Sequence, residues 1–265
     1  SLPNMKWMAF LRSPHGHARI KSINTEAAKK HPGVVAVITD EDLRGQCTDL
    51  HGVRLGFAPD MKIPDVPVLA RDKVWHVGQA IAAVIADERY VAQDAIELIE
   101  VEYEVLPAVV DPEEAMQTDA PRLHEEFENN TCLTFHMSKG DVGQAFEDAD
   151  VIIREKISNQ KIAPAPMEPR ACLAHWNSKD ETLTVWPTTQ GAQRSKGEYV
   201  EMLGLPEDKV QVYVNDVGGG FGAKHDDPEY LAVVVGSMIA DAPVKWVETR
   251  SDNFANMNNA RGKTK

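Results

Sequence analysis

Residues 217–225 read VGGGFGAKH, and glycines at 218, 219, 220 and 222 leave a backbone nearly free of Cβ atoms. Such a backbone reaches positive φ at no steric cost and can bring its N–H groups against a ligand, so the stretch is a candidate anion cradle. Gln190 closes a Thr-Thr-Gln run and could add a neutral carboxamide that both donates and accepts. His225, directly after the lysine of the glycine loop, could offer a donor or an acceptor near neutral pH. His15 and His17 form a His-x-His pair that could seat a metal, but no third ligand is close in sequence and a structural role is favoured. Glu168 and Arg170 read as a buried ion pair in preference to contacts with a substrate channel.

Two ligand classes and a turn without a ligand compete for the glycine loop. The phosphate loop of nucleotide hydrolases, G-x-x-x-x-G-K-[ST], counted from Gly218, fails at Ala223 and His225. The dinucleotide fingerprint fits Gly218, Gly220 and Ala223, with Asp241 roughly 20 residues further on. That fingerprint should open its helix directly, whereas His225, Asp226, Asp227 and Pro228 intervene here. A turn that serves only the backbone is the third possibility.

The elements that must hold these residues follow from periodicity. Residues 210–214 alternate as a half-buried strand before the loop. Asp227 reads as an N-cap with Pro228 at the first helical position, the apolar run 231–242 gives the helix, and 244–247 returns as a strand. Upstream, strands are expected at 5–12, 34–39, within 74–86, and at 99–105, the third buried on both faces. Helices are expected at 23–30 and from Asp87 onward, with an irregular excursion at 44–63. The acidic, Pro-bearing stretch 111–141 reads as a linker. Beyond it come a helical turn at 143–149, a strand at 151–157, a hairpin of 171–176 with 182–186, and a helix over 191–203 closed at Gly204.

With 265 residues, 43% of them hydrophobic, the chain can bury a sizeable core, read as two domains. A net charge of −13 argues against a nucleic-acid partner, because phosphate contacts need a basic face. No apolar run approaches the ~20 residues of a membrane span, and no signal peptide opens the chain. The abrupt Ser1-Leu2-Pro3 start suggests a fragment. Cys47, Cys132 and Cys172 are odd in number and never in C-x-x-C spacing, so a disulfide framework, a zinc site and an iron–sulfur cluster are unsupported. Buried free thiols in a reducing, cytoplasmic setting are expected.

The segment DVGGGFGAK at 216–224 resembles the pterin-contacting loop of the molybdenum hydroxylase large subunits, the xanthine dehydrogenase, aldehyde oxidase and carbon monoxide dehydrogenase family. FLRSPHGHARI at 10–20, VPVLARDKVWHVGQAIAAVIAD at 66–87, APMEPRACLA at 165–174 and TTQ at 188–190 resemble further segments of that family, in its order. The resemblance implies an α/β (α+β) fold: an α/β hammerhead domain at 1–110, a linker at 111–141, and the first, incomplete part of a molybdopterin-binding domain at 142–265.

In that family the glutamine of TTQ hydrogen-bonds a ligand of molybdenum, and Gln190 matches it. The backbone N–H of the loop phenylalanine approaches another metal ligand, and Phe221 matches that, while Gly219, Gly220 and Gly222 would run along the pterin. The implied cofactor is molybdenum-pterin, plain or as the cytosine dinucleotide. The implied reaction is oxidative hydroxylation of a small aldehyde, a heteroaromatic or carbon monoxide, with water as oxygen source. Iron–sulfur and FAD groups are expected on partner subunits, together with the C-terminal half of the molybdenum subunit. The general base of the family, a Glu in a G-x-x-E context, lies beyond residue 265, and Glu248 is a poor substitute, so no catalytic residue is assigned and the chain alone should not turn over. Purine-oxidising members carry Glu where this chain has His225, which puts purine oxidation in doubt and makes His225 a candidate substrate contact. The alternatives are a nucleotide-binding dehydrogenase and a non-catalytic fragment of the same fold.

Overall fold

The computed structural model describes residues 1–52, 58, 60–225, 227–257 and 260–264. Part of the expected excursion (53–57 and 59), Asp226 in the approach to the helix, and residues 258, 259 and 265 lie outside the described residues.

The chain begins with β1 (Lys6–Arg12), β2 (Ala18–Asn24), α1 (Glu26–Lys29), β3 (Val34–Ile38) and α2 (Asp40–Leu43). It continues through β4 (Lys73–Val74), β5 (Ala80–Ala86), α3 (Arg89–Ile96), β6 (Glu100–Val105), α4 (Pro112–Ala115) and α5 (Val142–Glu147). The second half holds β7 (Ser158–Ile162), β8 (Ala171–Asn177), β9 (Thr182–Pro187), α6 (Ala192–Leu203) and β10 (Val210–Val212). It ends with α7 (Pro228–Ala240), β11 (Val244–Val247), α8 (Arg250–Asn256) and β12 (Ala260–Thr264).

A seven-stranded mixed sheet in the order β10-β9-β8-β11-β1-β5-β3 carries the core, with β4-β2-β6 as a smaller sheet and β12-β7 as a ribbon. Strands β1, β5 and β3, from the first expected domain, and β8 to β11, from the second, are thus hydrogen-bonded into one sheet. The join is the parallel pairing of β1 with β11, Lys6 opposite Val244.

All seven residues of β5 are buried, as a continuous AIAAVIA run requires. Ala83 and Ile85 face one layer, with Met8, Phe10, Ile38 and the valines of α7. Ala82, Val84 and Ala86 face the other, with Ala28, Ala92 and Ala95 of α1 and α3. Each large aliphatic side chain so buried contributes about 1.5–3 kcal/mol. Nine of the 13 residues of α7 are buried. At Gly236 a Cβ would lie 2.5 Å from Met8 Cε, so the missing side chain lets the helix sit tightly on the sheet.

Several local expectations are corrected. The helix expected over 23–30 is only Glu26–Lys29, because β2 runs through Asn24 and pairs Ile23 with Val101. The VII-containing stretch 151–157 forms no strand and is exposed; the pairing partner β12 reaches only Ser158–Ile162, and a strand forms where a partner exists. Helix α2, with its Thr39–Asp42 capping box, was not anticipated. Asp227 stands at the N-cap of α7 but makes no capping bond, being committed to Arg170 instead. Strand β10 ends at Val212 and α7 at Ala240, both short of the expected limits.

Candidate functional site

Strands β9 and β10 are parallel neighbours, Val210 opposite Leu183, so their carboxyl ends open on the same edge of the sheet. The Thr-Thr-Gln turn follows β9 and the glycine loop lies beyond β10, which is where ligands gather in open α/β sheets. Each residue of the turn is anchored. Thr188 Oγ1 accepts from Ala171 N–H at 2.9 Å, and Thr188 O accepts from Tyr230 OH at 2.8 Å. Ser195 Oγ donates to Thr189 Oγ1 at 3.3 Å. Gln190 is thereby held at the start of α6, and its side chain turns to the glycine loop.

Gln190 Oε1 accepts from Gly222 N–H at 3.0 Å and Lys224 N–H at 3.3 Å. Two donors on one atom identify it as the oxygen, which leaves Nε2 as the outward end, without a hydrogen-bond partner among the described residues. A Cβ on Gly220 would stand 2.4 Å from the Gln190 carboxamide, so only glycine permits this approach. Gly219 and Gly222 take positive φ, and so does Phe221 at 52°, an unusual conformation for a bulky residue. The loop closes with Ala223 N–H donating to Gly220 O at 2.9 Å. The amides of Gly220 and Phe221 have no partner among the described residues, and Phe221 is 71% exposed. The loop therefore lies at the surface of this chain with two adjacent unused N–H groups beside a free carboxamide NH2. That donor set suits an anionic or oxygen-rich group.

The remaining polar groups pair otherwise than expected. Glu168 and Arg170 do not pair with each other. Glu168 Oε2 accepts from Gly218 N–H and from Lys224 Nζ, each at 2.7 Å. Burial pushes the Glu168 carboxyl up, but Lys224 and the Gly218 amide outweigh it and the group lies below its ordinary value. Arg170 is 1% exposed and turns the other way. Its guanidinium meets Asp227 Oδ2 at 2.6 Å, Glu229 Oε2 at 3.5 Å and the carboxylate of Glu248. Glu248 also accepts from Asn253 Nδ2 at 2.7 Å, so it is fully committed to structure. Arg12, from β1, joins the group through Glu229 Oε1 at 2.6 Å. Arg170, Asp227 and Glu229 line a cavity of about 400 Å³ with Gln79, His76 and Met257. Sequence reasoning missed both the Glu168–Lys224 contact and the Arg12–Glu229 link. The signal for the first was a lysine inside an Ala-Lys-His run at a loop end, which must find a carboxylate if buried.

Of the other candidates, His225 is half-buried beside the loop end. His17 Nδ1 meets Pro107 O at 2.7 Å, and His15 packs edge-on to Tyr103 at 4.8 Å, so the two rings serve separate contacts. Among the described residues, no cluster of three His, Cys, Asp or Glu side chains could hold a metal ion. The expected burial of all three thiols is corrected: Cys172 is buried, Cys47 half-buried and Cys132 exposed, because Cys132 falls in the solvated connecting stretch. No helix among the described residues is long and apolar enough to cross a membrane.

Residues 1–107 match the family described as aldehyde oxidase and xanthine dehydrogenase, a/b hammerhead domain. Residues 123–264 match the molybdopterin cofactor-binding domain. The carbon monoxide dehydrogenase large chain of Afipia carboxidovorans is 38% identical over 98% of this chain and 33% of its own length. The nicotine 6-hydroxylase large subunit of Paenarthrobacter nicotinovorans is 36% identical over 92% of this chain and 30% of its own. Among solved structures, quinoline 2-oxidoreductase from Pseudomonas putida 86 superposes with a TM-score of 0.91 at 32% identity, covering 100% of this chain and 33% of that one. The chain spans about a third of the length of these relatives.

Proposed function

The chain belongs to the molybdenum hydroxylase large-subunit family, and from that premise we propose that it supplies one wall of the molybdenum-pterin site. The fold is a hammerhead domain followed by the first part of the cofactor-binding domain, with 1–110, 111–141 and 142–265 as working boundaries. The observation that carries the reading is the pair of unused amides at Gly220 and Phe221 in a loop whose Gly220 presses on the Gln190 carboxamide, with Nε2 of that carboxamide left without a partner among the described residues. Those three donors would hold the cofactor's oxygen- and sulfur-rich groups, with Gly219 and Gly222 keeping the backbone bare along the pterin. When bound, the cofactor supplies two-electron oxidation with water as oxygen source. The chain's own part is to bind and orient it, through contacts to its ligands.

The relatives are named for carbon monoxide, nicotine and quinoline, which supports a small substrate, a heteroaromatic, an aldehyde or carbon monoxide. His225 would face it, offering one donor or acceptor where purine-oxidising members carry a carboxylate. The rest of the large subunit would supply the general base, and iron–sulfur and FAD subunits would take the electrons. A nicotinamide dinucleotide seated on the α7 N-terminus is disfavoured: Pro228 offers no N–H there, and the place of the pyrophosphate is taken by Asp227 and Glu229, already paired with Arg170 and Arg12.

Molybdenum and acid-released pterin measured in the purified assembled protein test the reading. Near-equimolar amounts per chain are expected. An active complex containing neither would refute it.

A further inference from the structure

The glycine loop has its two ends joined on one atom. Glu168 Oε2 takes the N–H of Gly218, where the loop begins, and the ammonium of Lys224, where it finishes. Lys224 is fully buried at 0% exposure, whereas the Glu168 side chain remains 37% exposed. A second tie runs back along the main chain, Glu168 N–H donating to Gly218 O at 3.4 Å. At Gly218 a Cβ would fall 2.6 Å from Glu168 Cβ, so the loop start is pressed against this residue. Gln190 then holds the middle and end through Gly222 and Lys224. With the Gly219 and Ala223 amides bonded to Val217 O and Gly220 O, those of Gly220 and Phe221 are left over. The backbone N–H and C=O groups of a glycine-rich loop could point anywhere, since such a chain loses more backbone entropy on ordering than any other; two anchors remove that freedom before a ligand arrives. Preorganised donors of this kind bind without a reorganisation cost at the moment of binding.

We propose that Glu168 is a positioning residue for the cofactor: it touches no ligand itself but, by closing the loop from Gly218 to Lys224, presents the Gly220 and Phe221 amides in register. This rests on the reading above of what the loop binds. It differs from a local packing role in one respect. Removing the carboxylate should disturb groups it does not touch, the Gly222 and Lys224 amides that bond Gln190.

The test uses the assembled enzyme, with Glu168→Ala, Glu168→Gln and Lys224→Met, read by amide hydrogen exchange and by molybdenum and pterin content. Glu168→Ala is expected to speed exchange at Gly222 and Lys224 about tenfold and to lower cofactor content by a similar factor, as loss of two anchoring hydrogen bonds would. Glu168→Gln keeps an oxygen in place for both donors and is expected to recover most of the protection. Should Glu168→Ala fail to fold, shown by lost protection across β8 and β9 as well, Lys224→Met opens only the far end and should still speed exchange at Gly222. Unchanged exchange and cofactor content in a folded Glu168→Ala or Lys224→Met protein would overturn the inference while leaving the loop's proposed ligand intact. Absence of molybdenum and pterin from active wild-type enzyme would instead remove the ligand, and the exchange rates alone would then decide whether Glu168 orders the loop.

Discussion

Gln190 grips Lys224 by main chain and side chain together: its N–H donates to Lys224 O at 3.0 Å, and its Oε1 accepts from Lys224 N–H at 3.3 Å. Residues 34 apart in sequence thus form one closed ring of hydrogen bonds. The Thr-Thr-Gln turn and the glycine loop consequently behave as a single unit at the carboxyl edge of β9 and β10, and a change in either should be felt in both.

Gln190→Ala removes the acceptor of two loop amides and should cost about 1–3 kcal/mol of stability. Gln190→Glu keeps an oxygen facing the loop and replaces the outward NH2 by an acceptor. We expect the Glu variant to melt near the wild-type temperature yet to retain far less molybdenum, whereas the Ala variant loses both. Thermal melting alongside metal analysis separates the two effects.

Gly220→Ala should be severe for a small change, since the new Cβ would sit 2.4 Å from the Gln190 carboxamide and drive the turn and loop apart. Gly197→Ala is the contrast. Nothing stands within 4 Å of a Cβ there, in the interior of α6, and replacing a helical glycine by alanine should raise stability by about 0.5–1 kcal/mol. Denaturant midpoints for the pair would check both directions.

The Arg170 cluster joins β8, α7, β11 and, through Arg12, β1, and so ties the two expected domains together inside the core. Glu248→Ala leaves part of a guanidinium buried without its carboxylate and should cost about 3–5 kcal/mol. Pairing Arg170→Met with Glu248→Leu should recover part of that loss, because removing both charges costs less than stranding one. A double-mutant cycle in urea measures the difference.

Burial pushes Asp227 up to about 6 against the pull of Arg170. Burial also opposes ionisation of Glu229, but Arg170 and Arg12 overcome it and hold that group at about 2. The folded chain therefore keeps the Asp227 proton to higher pH than the unfolded chain does, so this group favours folding increasingly as pH falls from 7 through 6. Glu229 acts oppositely: its contribution is complete above the ordinary glutamate value of 4.5 and is lost as pH falls toward 2. Relative to Asp227→Asn, the wild-type urea midpoint should rise between pH 7 and pH 5. A constant difference over that range would contradict the assignment.

Much of the site was legible because its signals are local. Four glycines around Phe221 announce a bare backbone, and the run from Ala80 to Ala86 announces a strand buried on both sides. The turn at Gln190 was readable from the hairpin before it and Gly204 after it. What escaped depends on distant partners. Glu168 meets Lys224 across 56 residues, and Arg12 meets Glu229 across 217, and no periodicity marks such pairs. Ile152 and Ile153 have strand propensity but no neighbouring strand, so the pattern misled. Strand β2 was hidden by its lysine and arginine, since only Ala18 of its seven residues is buried.

The most direct test locates the metal. Anomalous diffraction at the molybdenum edge from crystals of the assembled enzyme should place a single strong peak beside Gln190 and the Phe221 amide. A peak elsewhere, with Gly220 and Phe221 facing only solvent, would contradict the account.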